Sequence, residues 1–201
     1  MNTFVLELIG FLFLLLFIGI GFIIKQPHHW IHRFDQQLTR VIRQSYPKRN
    51  RFYLFITKLA NPTSVVIQAS IYLLFLYMNH YYTEASWFAA GVIGIAAIFN
   101  PLVKIVYART RPSLDPLVIE KSFSYPSGHS LGSMVLFGSL ICLIPILFQN
   151  LLLIWVLRLL LSALILNIGI SRVYLGVHYP SDVCGGFCVG LAWLFLSYPF
   201  F

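Results

Sequence analysis

The stretch FVLELIGFLFLLLFIGIGFII, residues 4–24, decides the class of fold, because it is an unbroken apolar run in which Glu7 is the only charged residue. A helix needs roughly 20 consecutive apolar residues to cross the hydrocarbon core of a bilayer. No basic segment precedes the run and no small-residue cleavage site follows it, so we expect a retained transmembrane helix rather than a signal peptide. The sequence therefore predicts an integral membrane protein.

The rest of the chain has the same apolar character. Of its 201 residues 59% are apolar and only 10% are charged, which is more apolar surface than one soluble domain can bury. Further apolar runs of sufficient length follow the first, and short polar segments separate them. We predict an all-α integral membrane bundle of six transmembrane helices in a single domain, 1–201, with spans at about 4–24, 62–79, 84–107, 126–148, 151–170 and 180–200.

Residues 27–58, between the first two spans, show a different pattern. Apolar side chains such as Ile31, Leu38 and Ile42 recur at helical spacing among arginines. A helix of this kind lies in the plane of the membrane interface, with its cations near the headgroups. We predict an interfacial amphipathic helix here. The nearby histidines are expected on its polar face, with incidental metal binding as the alternative; they are His28, His29 and His32.

The chain carries a net charge of +8, and the position of that charge limits its partners. An even number of spans places the loops after spans one, three and five on one side. These loops carry nearly all of the Lys and Arg residues, and Arg158 inside span five is the exception. Such short loops offer little surface for a nucleic-acid duplex. We expect an anionic substrate and anionic lipid headgroups as partners, and no nucleic acid.

Two cations follow one another near the end of the third span. Lys104 and Arg111 are seven residues apart, which is two helical turns, so both can project toward one point. Pro112 then disfavours further helix at Arg111. The alternative is that both side chains merely extend to the membrane interface.

The fourth span opens on a short polar motif, Pro126-Ser127-Gly128-His129. A proline suits the first helical position, and the unpaired N–H groups that follow it form a ready anion site. Gly128 leaves room for an anion at the backbone, Ser127 adds a hydroxyl donor, and His129 adds a titratable ring. An ordinary helix start with an interfacial histidine is the alternative.

A third polar segment, residues 171–182, joins spans five and six. If Pro180 is the first residue of span six, Asp182 lies in the first helical turn, where the helix dipole favours a carboxylate. From there Asp182 can reach back to His178, fix its tautomer and leave its other nitrogen free as a nucleophile. A metal site is the alternative, but nearby cations would repel a divalent ion and no zinc-ligand spacing is present. We therefore predict an anion site, without metal or cofactor.

Together the three segments resemble the three-part signature of the type 2 phosphatidic acid phosphatase superfamily, with no departure at a signature position. The resemblance implies a metal-independent membrane phosphatase that removes the terminal phosphate of a lipid through a phosphohistidine. It implies that His178 attacks phosphorus, that Asp182 orients it, and that His129 protonates the leaving oxygen. The phosphate-binding residues implied are Lys104, Arg111, Ser127, Gly128 and Arg172.

Several finer points stay open at this level. Phosphatidylglycerol phosphate is the substrate that we expect, with undecaprenyl diphosphate and phosphatidic acid as alternatives, and the oligomeric state is not indicated. Vanadate-dependent haloperoxidases share the signature, so an oxidoreductase is a rival, as is a lipid-binding or transport protein with a relict site. Bacterial members imply a cell-membrane protein with its site on the extracytoplasmic face, although the count of Lys and Arg in short loops favours the cytoplasm.

Overall fold

A computed structural model describes residues 2–27, 30–45, 49–112 and 116–200 of the chain. Within these ranges all regular secondary structure is helical, which confirms the predicted all-α class. The helices are α1 Thr3–Ile24, α2 Trp30–Ser45, α3 Asn50–Lys58, α4 Pro62–Met78, α5 Tyr82–Ala89, a π-helical segment Ala90–Phe99, α6 Asn100–Tyr107, α7 Gly128–Leu147, α8 Leu151–Tyr174, α9 Pro180–Ser197 and a terminal 3-10 turn Tyr198–Phe200.

Five of the described helical units are long and apolar enough to cross a membrane: α1, Tyr82–Tyr107, α7, α8 and Pro180–Phe200. A sixth crossing requires α3 and α4 together, because α4 has 17 residues and spans only about 26 Å, less than the roughly 30 Å of a hydrocarbon core. The two helices meet at an angle of 49°. The second predicted span is therefore half of a bent pair.

The predicted amphipathic segment, 27–58, consists of two helices rather than one. Its C-terminal part is α3, which packs on α8 and leads into α4, and only α2 remains a candidate for the interface. The placement of α2 in the interface stays a prediction. His28, His29 and residues 46–48 lie outside the described residues.

The third span changes its helical winding before its proline. The π-helical segment Ala90–Phe99 leads directly into α6, whose second residue, Pro101, has no N–H to donate. The irregular winding therefore lies just before Asn100-Pro101. Helix α6 ends where Ala108 adopts a left-handed conformation with φ of 46°.

The fourth and sixth spans, α7 and α9, pack closely against each other at their polar ends. A Cβ atom added to Gly186 of α9 would lie 2.7 Å from the carbonyl oxygen of Ser127, which is backbone and cannot move aside alone. The N–H of Ser127 also donates to the carbonyl of Asp182 at 3.0 Å. Helices α7 and α9 therefore begin side by side, which brings their first turns together.

Arg158, the basic residue in the middle of the fifth predicted span, forms a hydrogen bond with α7. Its Nε donates to the carbonyl oxygen of Ile141 at 3.3 Å. That carbonyl would otherwise accept from the N–H of residue 145, and residue 145 is proline. Arg158 thus satisfies a carbonyl group that Pro145 leaves without a helical partner.

Candidate active site

A cavity of about 490 Å³ opens at the end of the bundle where α6 and α8 end and α7 and α9 begin. One end of the cavity is polar and holds His178, Lys104 and Arg111. The other end is apolar and runs along α4 and the π-helical segment, past Val66 and Ala96. The cavity thus joins a charged region to an apolar one. Its remaining polar lining comes from Asn61, Asn100, Glu120, Ser122 and His129.

His178 lies in the connection between α8 and α9 with 1% of its surface exposed. Its Nε2 is 3.2 Å from Nη1 of Arg111. A guanidinium can only donate, so Nε2 carries the lone pair and the ring proton is on Nδ1. Nδ1 faces the hydroxyl of Ser124 at 3.3 Å and Oδ2 of Asp182 at 3.5 Å. The nitrogen with the free electron pair therefore points toward the cations of the cavity.

The charge state of His178 follows from its surroundings. The pKa of its imidazole is lowered to about 4. Burial is the main cause, the hydrogen bond and charge of Asp182 oppose it, and the charges of Arg172 and Arg111 add to it. The ring is consequently neutral at pH 7, as a nucleophile must be.

Asp182 lies in the first turn of α9 after Pro180, where we predicted it, and it is fully buried. Its Oδ2 accepts from the hydroxyl of Ser124 at 2.5 Å and from the N–H of Tyr179 at 2.8 Å. Its Oδ1 accepts from Nη1 of Arg109 at 2.6 Å. Both carboxylate oxygens are therefore fixed by charged or polar donors, with Oδ2 on the side of His178.

Lys104 and Arg111 do converge, but by a different geometry from the predicted one. Helix α6 ends before Arg111, so the two side chains do not lie two turns apart on one helix, and Arg111 reaches the cavity from extended chain. Nζ of Lys104 donates to the carbonyl of Phe123 at 2.5 Å, and Arg111 donates to the carbonyls of Ser122 and Val177, each at 2.7 Å. Loop carbonyls thus hold both cations in place.

Arg172 occupies the last turn of α8, which continues to Tyr174 and not to residue 170 as predicted; Gly176, with a positive φ of 75°, follows shortly after the helix. The side chain of Arg172 is 2% exposed. Nη1 donates to Oγ1 of Thr57 at 2.7 Å, and Nη2 pairs with Oε1 of Glu120. Glu120 also lies 4.0 Å from Nη2 of Arg111. A carboxylate of the chain itself therefore sits at the cationic end of the cavity.

The start of α7 differs by two residues from the prediction. Ser127 is the N-cap and Gly128 is the first helical residue, so Pro126 precedes the helix instead of opening it. The hydroxyl oxygen of Ser127 accepts from the N–H and the hydroxyl of Ser130, at 3.4 and 3.0 Å. A Cβ atom on residue 128 would lie 2.8 Å from Nδ2 of Asn100, so a larger residue there would require the Asn100 side chain to move. The hydroxyl of Ser127 is thus engaged within the helix start.

His129 lines the same cavity as His178. Its Nε2 is 2.8 Å from Oδ1 of Asn61, at the bend between α3 and α4. The bent pair therefore orients one of the two histidines of the site. Among the described residues no group of three or more His, Cys, Asp and Glu side chains could hold a metal ion.

Sequence reasoning missed several residues of the site. Ser124, Asn61 and Glu120 each contact a predicted residue that lies 52 to 68 positions away in the sequence, and no pattern in the sequence marks them. Asp35 had a signal that we did not use: it lies four residues after Ile31, on the apolar stripe of α2, where a charge is out of place. Asp35 and Arg109 meet beside the site.

The family of the chain follows from comparison with known proteins. The PAP2 superfamily matches residues 85–201, which is more than half of the chain, so this protein belongs to the PAP2 superfamily. The match contains every residue of the candidate site that we predicted from the sequence.

Individual relatives are similar to parts of the chain. Phosphatidylglycerophosphatase B of Bacillus subtilis is 38% identical over 109 residues, 52% of each chain. The undecaprenyl-diphosphatase BcrC of the same species is 34% identical over 119 residues, 55% of each chain. An undecaprenyl-diphosphatase of Sulfolobus acidocaldarius is 34% identical over 110 residues, 51% of this chain and 48% of that one. The chain spans about half the length of the curated relatives that it matches.

Solved structures resemble the whole chain. The crystal structure of a transmembrane PAP2 type phosphatidylglycerolphosphate phosphatase from Bacillus subtilis superposes with a TM-score of 0.82 at 26% identity, over 95% of this chain and 94% of that one. LpxE of Aquifex aeolicus superposes with a TM-score of 0.64 at 19% identity, over 82% of this chain and 94% of that one, which supports the fold alone.

Proposed function

We propose that this protein is an integral membrane phosphatase that hydrolyses the terminal phosphate of a lipid. The observation that carries the proposal is the position of Nε2 of His178, which faces Arg111 inside a cavity that is cationic at one end and apolar at the other. A lipid phosphate has the same two parts. Membership of the PAP2 superfamily supports the same class of reaction.

Within this class we propose phosphatidylglycerol phosphate as the substrate, because relatives named for that activity match both the sequence and the fold. Undecaprenyl diphosphate is the second candidate, supported by two relatives with that name. Phosphatidic acid is the third, since it also presents a terminal phosphate beside an apolar tail.

The first half of the proposed reaction uses His178. Its Nε2 forms a bond to phosphorus while the bond from phosphorus to the lipid oxygen breaks, and His129 gives a proton to that oxygen. The ring keeps its proton on Nδ1 and becomes cationic, and the adjacent carboxylate of Asp182 stabilises it. Lys104, Arg111 and Arg172 stabilise the charge on the non-bridging oxygens, together with the hydroxyl of Ser127 and the N–H of Gly128.

The second half returns the enzyme to its starting state. Water gives a proton to His129 as its oxygen bonds to phosphorus, and the bond from phosphorus to Nε2 of His178 breaks. Inorganic phosphate leaves, His178 is neutral again and His129 is protonated for the next turnover.

The experiment that tests the proposal is a phosphate-release assay with the purified protein in mixed micelles. We expect release from at least one of phosphatidylglycerol phosphate, undecaprenyl diphosphate and phosphatidic acid, with the first turned over fastest. Vanadate is expected to inhibit. A halide oxidation that depends on vanadate would instead favour the haloperoxidase reading, and binding without release would favour a lipid-binding protein.

Removal of metal ions tests the role assigned to the cations. Three fixed positive side chains supply the charge that a magnesium ion supplies in many phosphoryl-transfer enzymes. We therefore expect phosphate release to continue unchanged in EDTA, measured after prolonged dialysis against the chelator. Loss of turnover that one defined metal ion restores would contradict this prediction.

Glu120 competes with any anion that enters the site. The pair between partly exposed Glu120 and Arg172 is worth about 1 kcal/mol, so the variant Glu120→Gln should bind vanadate roughly fivefold more tightly. The inhibition constant in the phosphate-release assay measures this. The matched control is Lys121→Gln, which changes an exposed charge in the same loop and should leave the constant unaltered. Weaker inhibition in Glu120→Gln would show that the carboxylate does not compete.

The lowered pKa of His178 has a direct consequence for pH dependence. The neutral ring is the nucleophile, and a pKa of about 4 keeps it neutral as the pH falls from 7 to about 5. An ordinary histidine, with a pKa of about 6.5, would already become mostly protonated within that range. NMR titration of the histidine rings should show this, with the His178 signal assigned by its loss in His178→Ala. Protonation near pH 6.5 would contradict the prediction.

We propose that the site opens on the extracytoplasmic face of the cell membrane and that basic residues of α2 contact anionic headgroups there. Support comes from the family resemblance and from the exposed Arg33 and Arg40 on α2. Ile119, in the loop beside the cavity, is 88% exposed, so Ile119→Cys in a cysteine-free background reports on sidedness. We expect an impermeant maleimide to label it on intact cells. Labelling only after lysis would place the site in the cytoplasm.

A further inference from the structure

Asp35 of α2 and Arg109 of the loop after α6 form a buried ion-pair chain that ends on Asp182. Nη2 of Arg109 is 2.8 Å from Oδ2 of Asp35, and its Nη1 is 2.6 Å from Oδ1 of Asp182. Both carboxylates are fully buried, and 9% of the Arg109 side chain is exposed. The guanidinium therefore connects a helix near the start of the chain with the carboxylate that faces His178.

Further contacts fix the geometry of this ion-pair chain. Asp35 accepts from the N–H of Ser181 at 2.9 Å and from its hydroxyl at 2.6 Å. The guanidinium carbon of Arg109 lies 4.3 Å from the ring centre of Tyr179. Asp35 thus fixes the first turn of α9 through Ser181. The ring of Tyr179 fixes the plane of the Arg109 guanidinium.

An ion-pair chain of this kind is a poor way to attach one helix to another. Removing two carboxylates and a guanidinium from water is costly, and apolar side chains of similar volume often give equal or greater stability. The other buried positions of α2 are Ile31 and Thr39, so an apolar residue at 35 would complete the packing face. A function other than helix packing therefore accounts better for Asp35.

The arrangement of charges indicates that function. Arg109 alone would neutralise Asp182, and the developing cation on His178 would then face a pair with no net charge. Asp35 adds a second negative charge, so the three groups together carry a charge of −1. Arg109 meanwhile holds Oδ1 of Asp182, which leaves Oδ2 directed at Nδ1 of His178 at 3.5 Å. The ion-pair chain thus both orients the carboxylate of Asp182 and preserves its negative charge.

We infer that Asp35 and Arg109 are positioning residues for the His178–Asp182 pair, acting through Asp182 on the reactivity of the nucleophile. The inference rests on the proposed function, since it concerns the step in which His178 takes the phosphoryl group. Asp35 is an anion and the guanidinium of Arg109 is held between two carboxylates, so neither is expected to contribute to binding of the phosphate.

The variant Asp35→Asn tests this role. The amide keeps the shape of the side chain and an oxygen for the N–H of Ser181, but it removes the charge, so Arg109 neutralises Asp182. We expect kcat and the rate of phosphoenzyme formation to fall roughly 10- to 100-fold, by analogy with the loss found when the outer hydrogen-bond partners of metal-binding residues are removed. KM and the vanadate inhibition constant should not change. Asp35→Glu, which retains the charge, should restore part of kcat.

The matched control is Glu84→Gln, the same chemical change on a partly exposed residue of α5. It should leave kcat, KM and vanadate inhibition as in the natural protein. A wild-type kcat in Asp35→Asn overturns the inference, as does a loss that Asp35→Glu fails to repair. A loss of kcat with an equal loss of vanadate affinity also overturns it, because it would indicate general damage to the site. Failure of the natural protein to release phosphate from any lipid would refute the proposed function instead.

Discussion

Replacement of His178 by alanine is expected to lower phosphate release by roughly 10⁴-fold or more, as is found when the nucleophile of a covalent mechanism is removed. The reason is that Nε2 of His178 directs its free electron pair at the cation of Arg111, whereas Nε2 of His129 is engaged with Oδ1 of Asn61. The measurement is quench-flow trapping of the phosphoenzyme, with an acid-labile label of the kind expected for a phosphorus–nitrogen bond.

The His178→Ala protein should still fold and bind. Asp182 keeps its contacts with Ser124, Tyr179 and Arg109 in this variant, so no buried carboxylate loses its main partners. Vanadate should therefore bind with an affinity near that of the natural protein, detected by calorimetry or by protection against thermal unfolding. Acid-labile labelling of His178→Ala at the natural level would show that another residue accepts the phosphoryl group.

A second histidine provides the control for this experiment. His80 lies between α4 and α5, at the end of the bundle away from the cavity, and it has a positive φ of 64°. Asparagine tolerates this backbone conformation better than alanine does. His80→Asn should therefore retain phosphoenzyme formation and turnover.

The variant Arg172→Lys is expected to lower kcat/KM roughly 10²- to 10³-fold, the cost of removing one preorganised donor to a developing charge. Arg172 is buried and presents two nitrogens in one plane, with Thr57 beside one and Glu120 beside the other. Lysine keeps the charge but offers a single ammonium group, so it cannot hold the substrate oxygens in the same plane. Steady-state kinetics with the best lipid substrate measures the effect.

Arg158→Lys is the matched control, because it makes the same exchange on the same helix at the opposite end. Arg158 bonds to the carbonyl of Ile141 and has no contact with the cavity of the site. We expect kcat/KM to be unchanged in this variant, whereas thermal stability can fall. An Arg172→Lys protein with the natural value of kcat/KM would show that the planar guanidinium group is dispensable.

The helices were predictable because their apolar runs are long and their ends carry local signals. Pro62 and Pro180 open α4 and α9 as predicted. At α7 the proline misled us, since the side chain of Ser127 accepts a helix N–H and so defines the N-cap two residues later than expected from Pro126. The bend between α3 and α4 was also missed. The pattern of residues 50–58 is amphipathic by itself, and the position of α3 beside α4 depends on its packing against α8.

The candidate site was predictable to the extent that it is local in the sequence. Asp182 and His178 are four residues apart, and the geometry of a helix start is enough to bring them together. The contact between Asp35 and Ser181 joins residues 146 positions apart, and no local pattern reports such a pair. Arg109 was overlooked for a similar reason: its position between two signature cations gave no hint that it turns away from the cavity to meet two carboxylates.

The carboxylate of Glu120 gives the site a means of selecting anions by their charge. A bilayer surface is crowded with phosphodiesters, each with a single negative charge, and these would fill an empty cationic pocket. Glu120 presents the same charge from within the chain, already held beside Arg172 and Arg111. A diester gains nothing by displacing it, whereas a terminal phosphate with close to two charges does. If the protein is the phosphatase that we propose, Glu120 keeps the bulk lipids of the membrane from inhibiting it.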